Sequence, residues 1–377
     1  MDVLFTAHQP SEFLSFKPIY DRLVAHPSLR IFVSGGVRRR LRGEVAYNAE
    51  ALYRPLGIHR DRVLSVRSIR HRHFDVLFST APEMILPGST ETRIHLFQGP
   101  SPPQGSMRRK ELRTDIFFMV GPHMRQRFDQ AGWLAADDPR GVNVGLPRTD
   151  LLRRAGNDRA RVCARYGFAH DLPLVLYVPG DEPPSALDAF GLEAIERLCS
   201  TGRFNVLARL AEESRPGVRD SARQLSEVRS PHLRVARDLD LMPLFAAADV
   251  LLTDAVSICG EFSLADRPIV FLERSGESRL RLVSEADRET WGHTVGPLVT
   301  DPRRIAGVVE GSLAEPLRYS VERRAMATKL FYNPGNATET AISFLQCHLQ
   351  GAESTSPTAT FAQPRWGGSG LGSMAGR

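Results

Sequence analysis

Residues 249–273 read DVLLTDAVSICGEFSLADRPIVFLE. An apolar run, Val250 to Leu252, stops at Thr253–Asp254. A short loop carries Ser257, a stretch with helical spacing carries Glu261, and a second apolar run begins at Ile269. Two short apolar runs flanking a helical segment predict two parallel strands, buried on both faces and joined by a crossover helix. In such a unit the strand ends and the helix start share one edge, where unpaired N–H groups favour an anion. The spacing predicts Ser257 at the helix start and Glu261 one turn inward on the same side. There a carboxylate can accept hydrogen bonds from ribose hydroxyls, as acidic residues do in dinucleotide-binding folds. An ordinary βαβ unit, with Ser257 as its N-cap and Glu261 at its surface, reads equally well.

Working outward, the same rhythm fills the chain. Strands are predicted at 2–7, 29–36, 74–80, 92–99, 114–121 and 141–147, with helices at 11–26 (Ser11 as N-cap) and 123–134. A charged connector with helical character covers 150–168. The pattern restarts with strands at 172–180, 204–210, 231–237, 248–254 and 267–273, and helices at 185–202 and 241–248. Alternating strands and helices imply parallel sheets covered on both faces. Two such units in tandem give an α/β chain with two Rossmann-like domains, 1–168 and 169–335, whose strand C-termini face a central cleft. A last helix, 336–350, is expected to pack back over the junction. The Gly-, Ser- and Pro-rich tail 351–377 is expected to be disordered.

Composition narrows the function classes. A chain of 377 residues with 42% hydrophobic content supports two full cores. No apolar stretch approaches the roughly 20 residues of a membrane helix. The start, MDVLFTAHQP, lacks the basic and apolar regions of a signal peptide, so a cytoplasmic location is expected. Cys163, Cys199, Cys259 and Cys347 form no CxxC pair, which argues against disulfides and a zinc site. No metal-binding or Walker A spacing appears, and no metal is expected. The net charge is +6, carried almost wholly by Arg. The basic runs GVRRRLRG (36–43) and RSIRHRHF (67–74) read as solvated surface or as a peripheral contact with an anionic membrane face. Nucleic acid is not an expected partner, because no recognition motif accompanies the charge.

The segment TDAVSICGEFSLADRPIVFL (253–272) is similar to the Asp-x-Ser-Ser…Asp/Glu…Arg/Lys-Pro-Ile stretch of the CDP-glycerol glycerophosphotransferases, which build teichoic-acid-type polymers. Four further segments follow in that family's order. VNVGLPRTDLL (142–152) resembles its Gly-x-Pro-Arg-x-Asp motif, and LVLYVPG (174–180) its Tyr-x-Pro run. IHLFQGPSPPQGS (94–106) takes the place of its Trp-His-Gly segment, and LFYNPGNATETA (330–341) that of its closing helix start. The resemblance implies a glycosyltransferase-B-like fold and a nucleotide-diphosphate donor, such as CDP-glycerol or a nucleotide sugar, as substrate and not as cofactor. It also implies a hydroxyl acceptor, lipid- or polymer-linked, and a site at the inner membrane face. Thr253, Asp254, Ser257, Glu261, Arg209 and Gly180 are the expected nucleotide-binding residues.

The departures from the family are as informative. Gln98 stands where the family has a histidine before glycine, and Ala211 where it has a second histidine. Glutamine cannot act as a base near neutrality, and alanine offers nothing polar. His8 and His123, each following a predicted strand, are the candidate catalytic bases, with Gln98 left to position substrate. His95 points to the opposite face of its strand from Gln98. Asp181 and Glu182 are further candidates. The 253–272 stretch is also similar to the UDP-N-acetylglucosamine 2-epimerases, without their Gly-Gly pair. Sugar transfer, epimerisation and nucleotide binding without chemistry therefore stand as alternatives.

Overall fold

The computed structural model describes residues 1–41, 44–81, 84–100, 114–153, 158–180, 192–210, 223–225, 227–273 and 293–350. Asp181, Glu182, Ala211, residues 185–191 and the tail 351–377 lie outside them. Met1–Ile342 form one compact unit.

Two parallel sheets organise that unit. In chain order the first half contributes β1 (Asp2–Ala7), β2 (Arg30–Gly35), β3 (Val37–Leu41), β4 (Glu44–Asn48), β5 (Val63–Leu64), β6 (His73–Ser79), β7 (Ser89–Leu96), β8 (Ile116–Met119) and β9 (Gly141–Asn143). The second half contributes β10 (Leu174–Val178), β11 (Asn205–Ala208), β12 (Leu233–Val235), β13 (Val250–Thr253), β14 (Ile269–Leu272) and β15 (Leu298–Val299). The sheets have the orders β5-β2-β1-β6-β7-β8-β9 and β12-β11-β10-β13-β14-β15. All their pairings are parallel. β3 and β4 form a separate antiparallel hairpin.

Every residue of β1, β10, β13 and β14 is buried. That is why these strands read as unbroken apolar runs and not as alternating ones. In each sheet the strand order reverses about its first strand, at β1/β6 and at β10/β13. Such switch points open a crevice beyond the strand C-termini, where ligands of doubly wound sheets bind.

Helix boundaries depart from expectation in places with clear causes. The first helix runs Pro10–Val24, with Gln9 as N-cap and no side-chain cap bond, so Ser11 is not the cap. Pro10 supplies the first helical φ and has no N–H to satisfy. Glu12 reaches back to accept the His8 N–H at 2.7 Å. The connector 150–168 is not one helix: a 3₁₀ turn, Pro147–Arg153, precedes a helix at Asp158–Tyr166.

The 3₁₀ turn packs against Pro10–Val24, the helix Met242–Ala247 and the turn Ser263–Ala265. It also couples two of the motifs read from the sequence. Gly145, at φ +100°, lies so close to Tyr332 that an added Cβ would sit 2.2 Å from its carbonyl oxygen. Asn333 donates to the Asn143 and Val144 carbonyls at 2.7 and 3.1 Å. Asp150, 3% exposed, accepts the Ala337 and Thr338 N–H groups at 3.0 and 2.8 Å. It thereby caps the helix Ala337–Gln350 from far away in sequence. Asp150→Ala is expected to cost about 2 kcal/mol of stability, the upper range for a lost cap. Urea unfolding checks this, and an unchanged midpoint would refute the capping role.

Candidate functional site

The turns beyond β10 and β13 meet at the second switch point. The Gly180 N–H donates to Asp254 Oδ1 at 2.6 Å, joining the two turns. Thr253 Oγ1 donates to the Val178 carbonyl at 2.6 Å and accepts the Ala255 N–H at 3.0 Å. Its hydroxyl is buried and its proton is spent on the scaffold. Asp254 is 7% exposed. The helix that follows, Val256–Phe262, has Ala255 as its N-cap, so Ser257 is its second residue and not the cap. Arg209, after β11, donates its backbone N–H to the Tyr177 carbonyl and Nε to the Asp238 carbonyl, at 2.8 and 2.7 Å.

Glu261 is not a surface residue. It is 4% exposed and pairs with Nη2 of Arg148 from the 3₁₀ turn. An added Cβ on Gly99 would lie 3.6 Å from Glu261 Oε1. The loop after β7, which carries half-buried Gln98, therefore comes up to this carboxylate. Burial raises the Glu261 pKa, Arg148 opposes the rise, and the Asp240 charge adds to it. Asp240 is itself raised, first by burial, with the Met242 N–H, Arg148 and Lys17 opposing. Two carboxylates thus share the field of one arginine where both halves of the chain converge.

Neither Arg148 nor Asp240 was identified from sequence. Arg148 lay inside the quoted Gly-x-Pro-Arg-x-Asp motif, which was the available signal. The latter half of 249–273 proves to be scaffold. Asp266, at φ 50°, receives Ser320 Oγ, Arg323 Nε and Arg324 Nε at 2.7, 3.0 and 2.8 Å. Arg267 Nη1 donates to the Ala246 and Ala248 carbonyls at 2.7 and 2.6 Å.

On the first sheet, His8 lies in the turn after β1, half-buried, with its ring centroid 5.8 Å from that of Tyr47. Burial raises the Glu12 pKa, while the His8 N–H and the imidazole charge oppose the rise. His123 is buried in the first turn of the helix Pro122–Gln130, after β8. His8 and Glu12 are thus brought together, as are Gly180 and Asp254, and the Gln98 loop and Glu261.

His95 is 2% exposed on β7, with its ring centroid 4.6 Å from that of Phe97. Burial lowers its pKa from 6.5 to about 4. The folded state therefore binds this proton less well than the unfolded state. The stability this group supplies is present above pH 6.5 and lost as pH falls towards about 4. The difference is worth roughly 3 kcal/mol. A His95→Leu variant is expected to lose correspondingly less stability across that window. Parallel acid-unfolding curves for the two proteins would contradict this.

Two doubly wound parallel sheets, with converging turns at their strand ends, define a glycosyltransferase-B-like fold. The sequence profile described as CDP-Glycerol:Poly(glycerophosphate) glycerophosphotransferase matches residues 99–340, well over half of the chain. The chain belongs to that family of nucleotide-dependent transferases of cell-wall polymer synthesis. No curated protein matches it in sequence. Among solved structures it is similar to the wall teichoic acid polymerase TagF, in a variant soaked with CDPG. The TM-score is 0.66 at 16% identity, over 94% of this chain and 90% of that one. It is also similar to S. aureus MnaA in a co-structure with UDP, with TM-score 0.59 and 14% identity over 93% and 97% of the two chains. The UDP-GlcNAc 2-epimerase from Neisseria meningitidis gives TM-score 0.55 and 14% identity, over 92% and 100%. Among the described residues, no helix is long and apolar enough to cross a membrane.

Proposed function

We propose that the chain transfers a glycerophosphate-like group from a nucleotide-diphosphate donor to a hydroxyl acceptor. The observation that carries this reading is the convergence at Glu261, where a buried, arginine-held carboxylate meets the Gln98–Gly99 loop beside the β10/β13 switch point. Glu261 receives the ribose hydroxyls. The Gly180–Asp254 turn, with Thr253 holding its shape, fixes the approach of the nucleotide. Ser257 and Arg209 serve the phosphates. The acceptor oxygen bonds to the glycerol-bearing phosphorus, the phosphoanhydride bond breaks, and the nucleoside monophosphate leaves. His8 takes the hydroxyl proton, with His123 as the second candidate, and Gln98 positions the reactants. Positioning and charge stabilisation do the rest. No metal is assigned to the donor site. The acceptor is lipid- or polymer-linked, met at the inner membrane face from the cytoplasm, and the net positive charge of the chain suits such a face.

A thermal-shift screen with CDP-glycerol, CDP-ribitol, UDP-sugars and GDP-sugars tests the donor, because any ligand of the folded state stabilises it by mass action. A donor-consumption assay separates transfer from binding alone. The expected result is a shift with a cytidine diphosphate donor and acceptor-dependent release of the monophosphate. No shift with any nucleotide would overturn the reading. Likeness to the S. aureus MnaA co-structure with UDP and to a UDP-GlcNAc 2-epimerase keeps the UDP-sugars in the screen.

A further inference from the structure

At the other end of the first sheet, His73 and Asp75 open β6 and Ser89 and Glu91 open β7. The parallel register pairs His73 with Ser89, and residues 75 and 91 fall between the Phe74–Thr90 and Val76–Thr92 partners. Residues two apart on a strand share a face, so all four side chains stand on one side of the sheet. His73 Nε2 lies 3.7 Å from Asp75 Oδ1 and 3.7 Å from Glu91 Oε1. The three donor atoms fall within 4.8 Å of one another. These separations are too long for hydrogen bonds. Two ligands about 2.1 Å from one ion at a tetrahedral angle stand roughly 3.4 Å apart. The imidazole is therefore a few tenths of an ångström from that spacing to each carboxylate, and the two carboxylates stand within 4.8 Å of each other.

We propose that His73, Asp75 and Glu91 bind a borderline divalent cation of the zinc type, with water completing a tetrahedron. One imidazole and two carboxylates suit zinc better than magnesium or calcium, which take oxygen ligands. The supporting contacts match such a site. His73 Nδ1 is 2.9 Å from Ser89 Oγ, and with Nδ1–H donating, the Nε2 lone pair faces the two carboxylates. The Asp2 N–H donates to Asp75 Oδ2, leaving Oδ1 turned towards the imidazole. Partners of this kind orient metal ligands and set their basicity. A bound ion would tie together the first residues of β1, β6 and β7. The site lies at the strand N-termini, the opposite end from the proposed transfer site, and takes no part in the transfer chemistry.

The test is zinc titration by calorimetry of the full chain, tag-free and chelator-treated, with cobalt substitution as the spectroscopic probe. One ion per chain is expected, with the intense visible bands of tetrahedral cobalt. His73→Ala and Glu91→Gln should each weaken zinc binding by at least about 10-fold, and Ser89→Ala by about 10-fold. His8→Ala, at the other end of β1, should leave zinc affinity unchanged. Unfolding curves that match the wild type would show that the variants remain folded. An absence of saturable zinc binding would mean that His73 only forms ion pairs with the two acids, and would overturn the proposal. So would affinity and cobalt bands that survive both His73→Ala and Glu91→Gln.

Discussion

Arg148→Ala is expected to lower the unfolding free energy by roughly 3–5 kcal/mol at neutral pH, the cost of stranding a buried charge. Its partner Glu261 is 4% exposed, and Asp240 adds a second negative charge nearby. Glu261→Gln should cost less, because the remaining amide can still accept from Arg148 and Asp240 still faces it. The double variant Arg148→Met/Glu261→Gln should cost less than the sum of the singles, as contacting residues do. The sign with pH follows from the raised Glu261 pKa. A carboxyl whose folded pKa exceeds its unfolded value supplies stability in acid and loses it as pH rises through the folded value. Removing Arg148 pushes Glu261 higher still, so the Arg148→Ala deficit should shrink from about pH 8 to about pH 5. Nucleotide affinity should fall in Glu261→Gln by roughly 1–3 kcal/mol if its carboxylate meets the ribose. Urea unfolding at the two pH values and calorimetry with the best donor read these effects. A deficit below about 0.5 kcal/mol for Arg148→Ala, the size of an ordinary surface change, would remove the pair from the interior.

What the sequence disclosed, and what it hid, follows from the range of the interactions. Strands buried on both faces announce themselves locally. The runs ending at Val178 and Thr253 could therefore be read as parallel strands whose turns, at Gly180 and Asp254, share an edge. The two-residue strands β5 and β15 carry too little pattern to be seen. The Arg-rich hairpin β3–β4 shows charge and not alternation, so it read as a basic run. The helices Ile305–Ala314 and Ser320–Leu330 were likewise unread. At the site, local reading left Glu261 open between an inward ribose contact and an ordinary surface position, and only the distant Arg148 shows why it is buried. Asp150 was visible as a motif residue, but its two bonds reach Ala337 and Thr338, which no periodicity reports. Ser11, expected as a cap, and Ser257, a cap only in the alternative reading, are inside their helices for a simpler reason. Each helix begins two residues earlier than a cap at that serine would place it.

His8→Ala is expected to reduce acceptor-dependent donor consumption by about 10²–10⁴-fold while preserving nucleotide affinity, the usual scale for a lost general base. The family's histidine position holds Gln98, which has no titrating group near neutrality. His8 sits instead at the β1/β6 switch point of the first sheet, with Glu12 accepting its backbone N–H and placing a buried negative charge beside the imidazole. Because Glu12 holds the His8 backbone, Glu12→Gln should lower the rate without moving the nucleotide affinity. Gln98→Ala should cost far less, since an amide can orient a reactant but not take its proton. His123→Ala is the internal control. A loss there equal to the expected His8 loss, with His8→Ala unchanged, would transfer the role to the buried histidine after β8. Equal activity in both single variants, with the wild type consuming donor, would exclude histidine as the base. The buried Glu261 and Asp240 carboxylates would then be the groups to replace. If the wild type binds donor and consumes none with any acceptor, the exchange of histidine for Gln98 has left a nucleotide-binding protein. Restoring histidine at positions 98 and 211 would then show whether proton transfer alone was lost.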